Sequence, residues 1–228
     1  MADDRAVAAR FGVEQAVAAE VLLDCQAFGW VTWSEFAGTG GWSLTEAGRV
    51  ENERQLAAEL AGLAQPEDPG EPEGPGEVAG AKLGEGAGPE GLGEVAGAEV
   101  VREAYRVFLS LNERLQRACT DWQIRPTAAD SLAFNDHRDA AWDGRVIDEL
   151  AALGQALEAV SGRLTSVLDR FQGYDTRFST ALGRVIAGDR SWVDRTGADS
   201  CHTVWFELHE DLIATLGLAR GAELPVEN

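Results

Sequence analysis

The sequence has almost no lysine, few cysteines and histidines, and no long apolar run, and each shortage removes a class of protein. No stretch approaches the roughly eighteen apolar residues that a helix needs to cross a bilayer, so no membrane contact is expected. The opening MADDRAVAAR carries two aspartates and lacks the apolar core of a secretory leader, which points to a cytoplasmic protein. Cys25, Cys119 and Cys201 are an odd number without CxxC spacing, which fits reduced thiols better than disulfides or a zinc site. No glycine-rich loop leads into a GK[ST] sequence, so a phosphate-cradling P-loop is absent. No metal or cofactor is called for. One lysine beside eighteen arginines, with abundant Ala and Gly, reflects codon bias rather than function.

Basic segments are missing as well. The net charge of −20 divides into −6 over residues 1–65, −7 over 66–98 and −7 over 99–228. Such a surface repels nucleic acid and anionic lipid at long range, so DNA contact would need a local basic patch.

What is present falls into three parts. Residues 66–98 hold ten Gly and five Pro, no aromatic, and the hexapeptide GEVAGA twice. This composition buries too little apolar surface to offset its ordering entropy, and predicts a flexible acidic linker between two domains. Residues 1–65 read as a short helix from about Asp4 to Arg10, a turn at Phe11-Gly12-Val13, and a longer helix with Val17, Val21, Leu22 and Phe28 at helical spacing. Alternation through Trp30, Thr32 and Ser34, a break at Gly38 to Gly41, and Trp42-Ser43-Leu44 predict a β-hairpin. A further helix opens at Thr45 and runs through Leu56 and Leu60.

These residues, AARFGV, AAEVLLDCQAFGWV and GWSLTEAGRVENERQLAAEL, resemble part of a winged-helix domain of the MarR-like transcription regulators. The resemblance covers about residues 3 to 62 and implies a recognition helix, a hairpin wing and the helix that LTEAGR starts. The usual first helix would lie before Met1, so the copy reads as shortened. From Phe11 through Gly48 there is no Arg or Lys, while Glu14, Glu20, Asp24, Glu35 and Glu46 are acidic. DNA is held by phosphate contacts and read by Arg, Lys, Asn and Gln, so any contact should be weak and fall to Arg5, Arg10, Gln15, Arg49 and Arg54. A winged helix kept for dimerisation or docking is the alternative.

Residues 99–228 read as helices. Val101, Tyr105, Phe108, Leu111, Leu115 and Cys119 form one stripe, and Val146, Leu150, Leu153, Leu157, Val160, Leu164, Val167 and Phe171 form a heptad-like seam. Shorter helices follow over about 174–187 and 200–216. The expected fold is therefore mainly α: a shortened winged helix with a small hairpin wing, plus an all-α helical bundle. The blocks NDHRDAAWDGRV and SCHTVWFELHEDL also resemble segments of uncharacterised actinobacterial proteins with a winged-helix start, a resemblance that implies no activity.

All three histidines sit in two short blocks. On the last helix, positions 202, 205, 206, 209, 212, 213 and 216 share a face, which predicts His202 and His209 inward beside Trp205. His137, with Asp136, Asp139, Asp143 and Trp142 nearby, would join them if the helix ends meet, making a pocket for a small ligand. Histidines seven apart on a helix stand roughly 10.5 Å apart, too far for easy shared metal coordination. Cys201 and His202 point about 100 degrees apart and cannot serve as nucleophile and base to each other. Two functions follow as expectations. One is a regulator-like protein, a possible homodimer, whose helical domain binds a small molecule or protein partner. The other is an enzyme or enzyme partner with its active site around His137, His202 and His209.

Overall fold

A computed structural model describes residues 2–36, 39–63 and 90–218. The chain is mainly helical with one two-stranded antiparallel sheet, in the order α1 (Asp4–Phe11), α2 (Gln15–Ala27), β1 (Val31–Phe36), β2 (Thr39–Leu44), α3 (Glu46–Gly62), α4 (Glu90–Gln123), α5 (Ala140–Thr165), α6 (Tyr174–Ile186) and α7 (Cys201–Leu216). It divides into two compact units, Met1–Glu59 and Leu60–Asn228. The linker expected at 66–98 lies outside the described residues up to 89, and from Glu90 the chain is the start of α4. No described helix is long and apolar enough to cross a membrane.

In the first unit, Asp3 caps α1 by accepting from the Ala6 N–H at 2.7 Å, and Gly12 ends it in the left-handed region at φ 64°. The strands pair Val31 with Leu44 and Trp33 with Trp42, whose rings meet edge to face at 5.3 Å. The phrase LTEAGR has a mechanical meaning here. Thr45 accepts from the Gly48 N–H at 3.0 Å, giving α3 its cap, and its own N–H donates to the Trp30 carbonyl at 2.9 Å. A Cβ on Gly48 would lie 1.8 Å from that carbonyl oxygen, so only glycine fits. The core is small: Ala8, Ala18, Leu22 and Leu56.

In the second unit, α4 packs on α5 and α7, and α6 packs on α5 and α7, so each helix has two neighbours. The predicted α4 stripe is buried throughout and continues to Trp122. The α5 seam is buried from Val146 to Leu164, but the helix stops at Thr165. There the Thr165 and Ser166 hydroxyls donate to the Ser161 and Arg163 carbonyls at 2.9 and 2.7 Å, which competes with the last helical bonds. The seam therefore ends on Leu168 and Phe171, and Val167 is only partly buried. Phe108, Trp205 and Phe178 join α4, α7 and α6 at ring distances of 4.9 and 5.8 Å. Each such buried ring removes enough apolar surface to stabilise by about 2 to 3 kcal/mol.

One expected face is wrong. The buried positions of α7 are Cys201, Val204, Trp205, Leu208, Leu212 and Thr215, about one residue out of phase with the predicted set. His202 and Phe206 are exposed, and His209 is half-buried at the edge. Phe206, at 50% exposure, is an apolar residue spent on the surface, and counting it as core rotated the predicted face.

Candidate functional site

The end of α4 turns into a loop, 124–139, that folds back on itself. Ile124 pairs with Phe134, the Arg125 N–H donates to the Ala133 carbonyl at 2.8 Å, and the Asn135 N–H donates to the Gln123 carbonyl at 2.8 Å. The last α4 carbonyls all find donors: Asp121 accepts from the Trp142 indole at 2.7 Å, Trp122 from the Asn135 amide at 3.1 Å, and Gln123 from the Asn135 backbone. Loop and helix end thus hold each other in place.

This return carries His137 onto Trp122, with ring centroids 4.5 Å apart. His137 adopts φ 55°, the sole positive φ outside glycine among the described residues. Such a backbone costs of order 1 kcal/mol or more and persists where surroundings demand it. Its Nδ1 lies 3.1 and 3.2 Å from the two carboxylate oxygens of Asp143, which is 4% exposed. Asn135 donates to Asp143 Oδ1 at 2.9 Å, and its own Oδ1 accepts from the His137 N–H at 3.1 Å. Arg190 closes the group: one nitrogen donates to the His137 carbonyl at 3.2 Å, and another lies 3.7 Å from Asp143 Oδ2.

The electrostatics assign the tautomer. The Asn135 amide nitrogen also lies 3.2 Å from Nδ1, but its two hydrogens go to the Trp122 carbonyl and Asp143 Oδ1. An ionised carboxylate only accepts, so the ring proton belongs on Nδ1, pointing at Asp143. That leaves Nε2 with a lone pair and no hydrogen-bond partner among the described residues. With the His137 side chain 26% exposed, Nε2 can accept a proton or a hydrogen bond from a bound molecule.

The other predicted residues serve different purposes. Asp139 is the α5 cap, accepting from the Ala141 and Trp142 N–H groups at 3.1 Å, and it also pairs with Arg125 at 2.6 Å. Those partners, the Trp142 N–H foremost, hold its carboxyl below the ordinary carboxylate range. Asp136 is exposed and turns the loop by accepting from the Arg138 N–H at 3.1 Å. Trp205 is 1% exposed and donates to Asn112 at 3.1 Å, so it belongs to the core. His209 lies 5.5 Å from Phe108 and 6.2 Å from Tyr105 by ring centroid.

The three histidines do not converge. His137 rests on Trp122 and His209 on Phe108, fourteen residues earlier on α4, a rise of roughly 21 Å along the helix. His202 is exposed, with its N–H bonded to the Val193 carbonyl at 2.9 Å. Cys201 offers no nucleophile, because burial, with Cys119 nearby, pushes its thiol up to about 12. Among the described residues, no group of three or more His, Cys, Asp or Glu could hold a metal ion. Of the three carboxylates expected to orient a histidine, only Asp143 does so. Asn135, Trp122 and Arg190 were missed. Asn135 stands two residues before His137 and Trp122 extends the α4 stripe, which were usable signals, whereas Arg190 had none.

On the first unit, α2 exposes Val17, Val21 and Leu23 at 49, 54 and 58%, beside Val13 at 43%. Glu14, Glu20 and Asp24 are exposed around them, as is Gln15. Of the arginines expected to touch DNA, Arg49 pairs with Glu46 at 2.9 Å and Arg54 with Glu51 at 2.7 Å. Arg54 in turn holds the Glu51 carboxyl down at about 2. Arg5 is exposed and Arg10 half-exposed. No family model matches the chain, and neither does any curated protein or solved structure.

Proposed function

We propose that the chain is a regulator-type protein in which a winged-helix-like first unit makes a protein contact rather than reading DNA, and a helical-bundle second unit binds a small ligand. The order α1, turn, α2, hairpin, α3 is consistent with the MarR-like resemblance, with α2 in the place of the recognition helix and β1–β2 as the wing. The observation that carries the reading is the outward face of α2. Val17 and Val21 stand exposed on one face of α2, with Val13 just before it, where a DNA reader would present cations and amides. Such a surface suits a second copy of the chain.

Sedimentation tests this. The account expects a dimer that tightens as salt rises, because a −20 chain repels its twin until the charge is screened. Val17→Asp with Val21→Asp should give a folded monomer. A wild type that stays monomeric at high concentration and high salt removes the contact surface.

A second reading rests on His137. A histidine whose Nδ1 is held by a buried carboxylate and whose Nε2 is open has the form of a general base, so the second unit is also a candidate enzyme. Diethyl pyrocarbonate labelling followed by mass spectrometry reads that nitrogen. His137 should label readily in wild type, and a His137 that resists labelling would leave no base to act.

A further inference from the structure

On another face of α5, turned about 100 degrees from Asp143, helices α4 and α5 enclose a groove of about 200 Å³. Three guanidinium groups line it, Arg114 and Arg117 from α4 and Arg145 from α5, together with the carboxylates of Asp121 and Glu149, with Trp142 as one wall and Ala118 and Val146 as apolar lining. Three cations against two carboxylates leave the groove locally positive in a chain of net charge −20.

Structural pairing accounts for only one of them. Arg114 donates from Nε to Glu149 at 2.7 Å, which neutralises its charge. Arg117 makes no hydrogen bond and no ion pair within 4 Å among the described residues, though its charge, after that of Arg114, helps hold the Glu149 carboxyl below its ordinary range. Arg145 reaches no carboxylate either; it donates to its own helix, at the Ala141 carbonyl, at 3.3 Å, and its guanidinium lies 4.9 Å from the Trp142 ring centre. The indole is fixed in turn by its bond to the Asp121 carbonyl at 2.7 Å.

A guanidinium presents a planar fork that matches carboxylate and phosphate oxygens, and an indole with apolar neighbours offers a plate for a ring. The volume lies below the roughly 300 to 1,000 Å³ of pockets that take drug-sized molecules, which limits the ligand to a single ring. We propose that this groove binds a small aromatic anion, its phosphate or carboxylate on Arg117 and Arg145 and its ring against Trp142, Ala118 and Val146. The groove rests on the reading of the second unit as a ligand-binding bundle and gives that ligand its site and class; it uses neither His137 nor the first unit, so the dimer contact and the general base are tested apart from it.

Calorimetry on the full chain with phenyl phosphate tests it. Binding should be saturable, with inorganic phosphate about tenfold weaker, because it lacks the ring, and benzyl alcohol not binding, because it lacks the charge. Arg117→Ala and Arg145→Ala, both at exposed positions, should each weaken phenyl phosphate about tenfold with the melting temperature unchanged. Trp142→Leu should bring phenyl phosphate down to the level of inorganic phosphate. Absence of saturable binding, equal binding of benzyl alcohol, or full affinity in both arginine variants would each overturn the proposal.

Discussion

Replacing Asp143 by alanine should destabilise the second unit by about 3 kcal/mol, working from the contacts that the carboxylate makes. It is 4% exposed and accepts from the Asn135 amide at 2.9 Å and from His137 Nδ1 at 3.1 Å, with Arg190 at 3.7 Å. A hydrogen bond to a charged group contributes about 1.5 to 3 kcal/mol, so two of them give roughly 3 to 6 kcal/mol gross. Against this stands the cost of keeping a carboxylate out of water, which alanine removes, and which brings the net to about 3 kcal/mol. The loss leaves Asn135 and His137 facing a gap, so the damage should concentrate in the loop 124–139. Asp143→Asn keeps the shape and one acceptor and should cost about half as much. Urea titrations by circular dichroism measure the difference, and amide exchange over 124–139 locates it. If Asp143→Ala lies within about 0.5 kcal/mol of wild type, the carboxylate is not holding His137 in place and the candidate site is an accident of a loop.

Gly48→Ala should destabilise the first unit by more than about 2 kcal/mol, although alanine is the better helix former by roughly 1 kcal/mol, because the new Cβ would meet the Trp30 carbonyl; an unchanged or higher melting temperature would show that α3 can move aside. The two histidines of α7 should separate: His202→Ala stays within about 0.5 kcal/mol of wild type, and His209→Ala loses about 1 to 3 kcal/mol through its contacts with Phe108 and Tyr105. Equal losses would return His202 to the core. Cys119 and Cys201 have thiols pushed up from 9.0 to about 12, chiefly by burial. A raised folded value means that the stabilisation is complete below pH 9 and is lost as pH rises toward 12, by on the order of 4 kcal/mol per thiol at the limit. The urea midpoint should therefore fall as pH rises from about 9 to about 10.5, and a Cys119→Ala, Cys201→Ala variant should fall less; identical slopes in the two proteins would put the alkaline loss elsewhere.

Periodicity made the helices legible, and failed where tertiary contacts decide. The α4 stripe and most of the α5 seam could be read because every buried position repeats at three or four. The hairpin was legible from its alternation, but the break expected at Gly38 to Gly41 falls too late, since Gly40 and Gly41 pair with Glu35 and Ser34 inside β2. On α7 two neighbouring stripes compete: Phe206 and Ile213 on one edge, Cys201, Val204 and Leu208 on the other. Only packing against α4 and α6 chooses between them. The loop 124–139 has no period at all, so the meeting of His137 with Trp122, Asn135 and Arg190 depends on contacts between residues up to 53 positions apart, which no local pattern encodes. Asp143 was visible as one of three nearby carboxylates, but the roles of Asp139 as cap and Asp136 as turn residue follow only from where the backbone goes.

Fluorescence anisotropy with duplex DNA tests most directly whether the first unit is a protein-contact module. With four arginines at most to neutralise phosphates, Arg49 and Arg54 among them paired with glutamates, the account predicts dissociation constants no tighter than about 1 μM at physiological salt, the same for every sequence. The logarithmic salt slope should be no steeper than roughly −3.6. Nanomolar, sequence-dependent binding that survives replacement of Arg5, Arg10, Arg49 and Arg54 would contradict it.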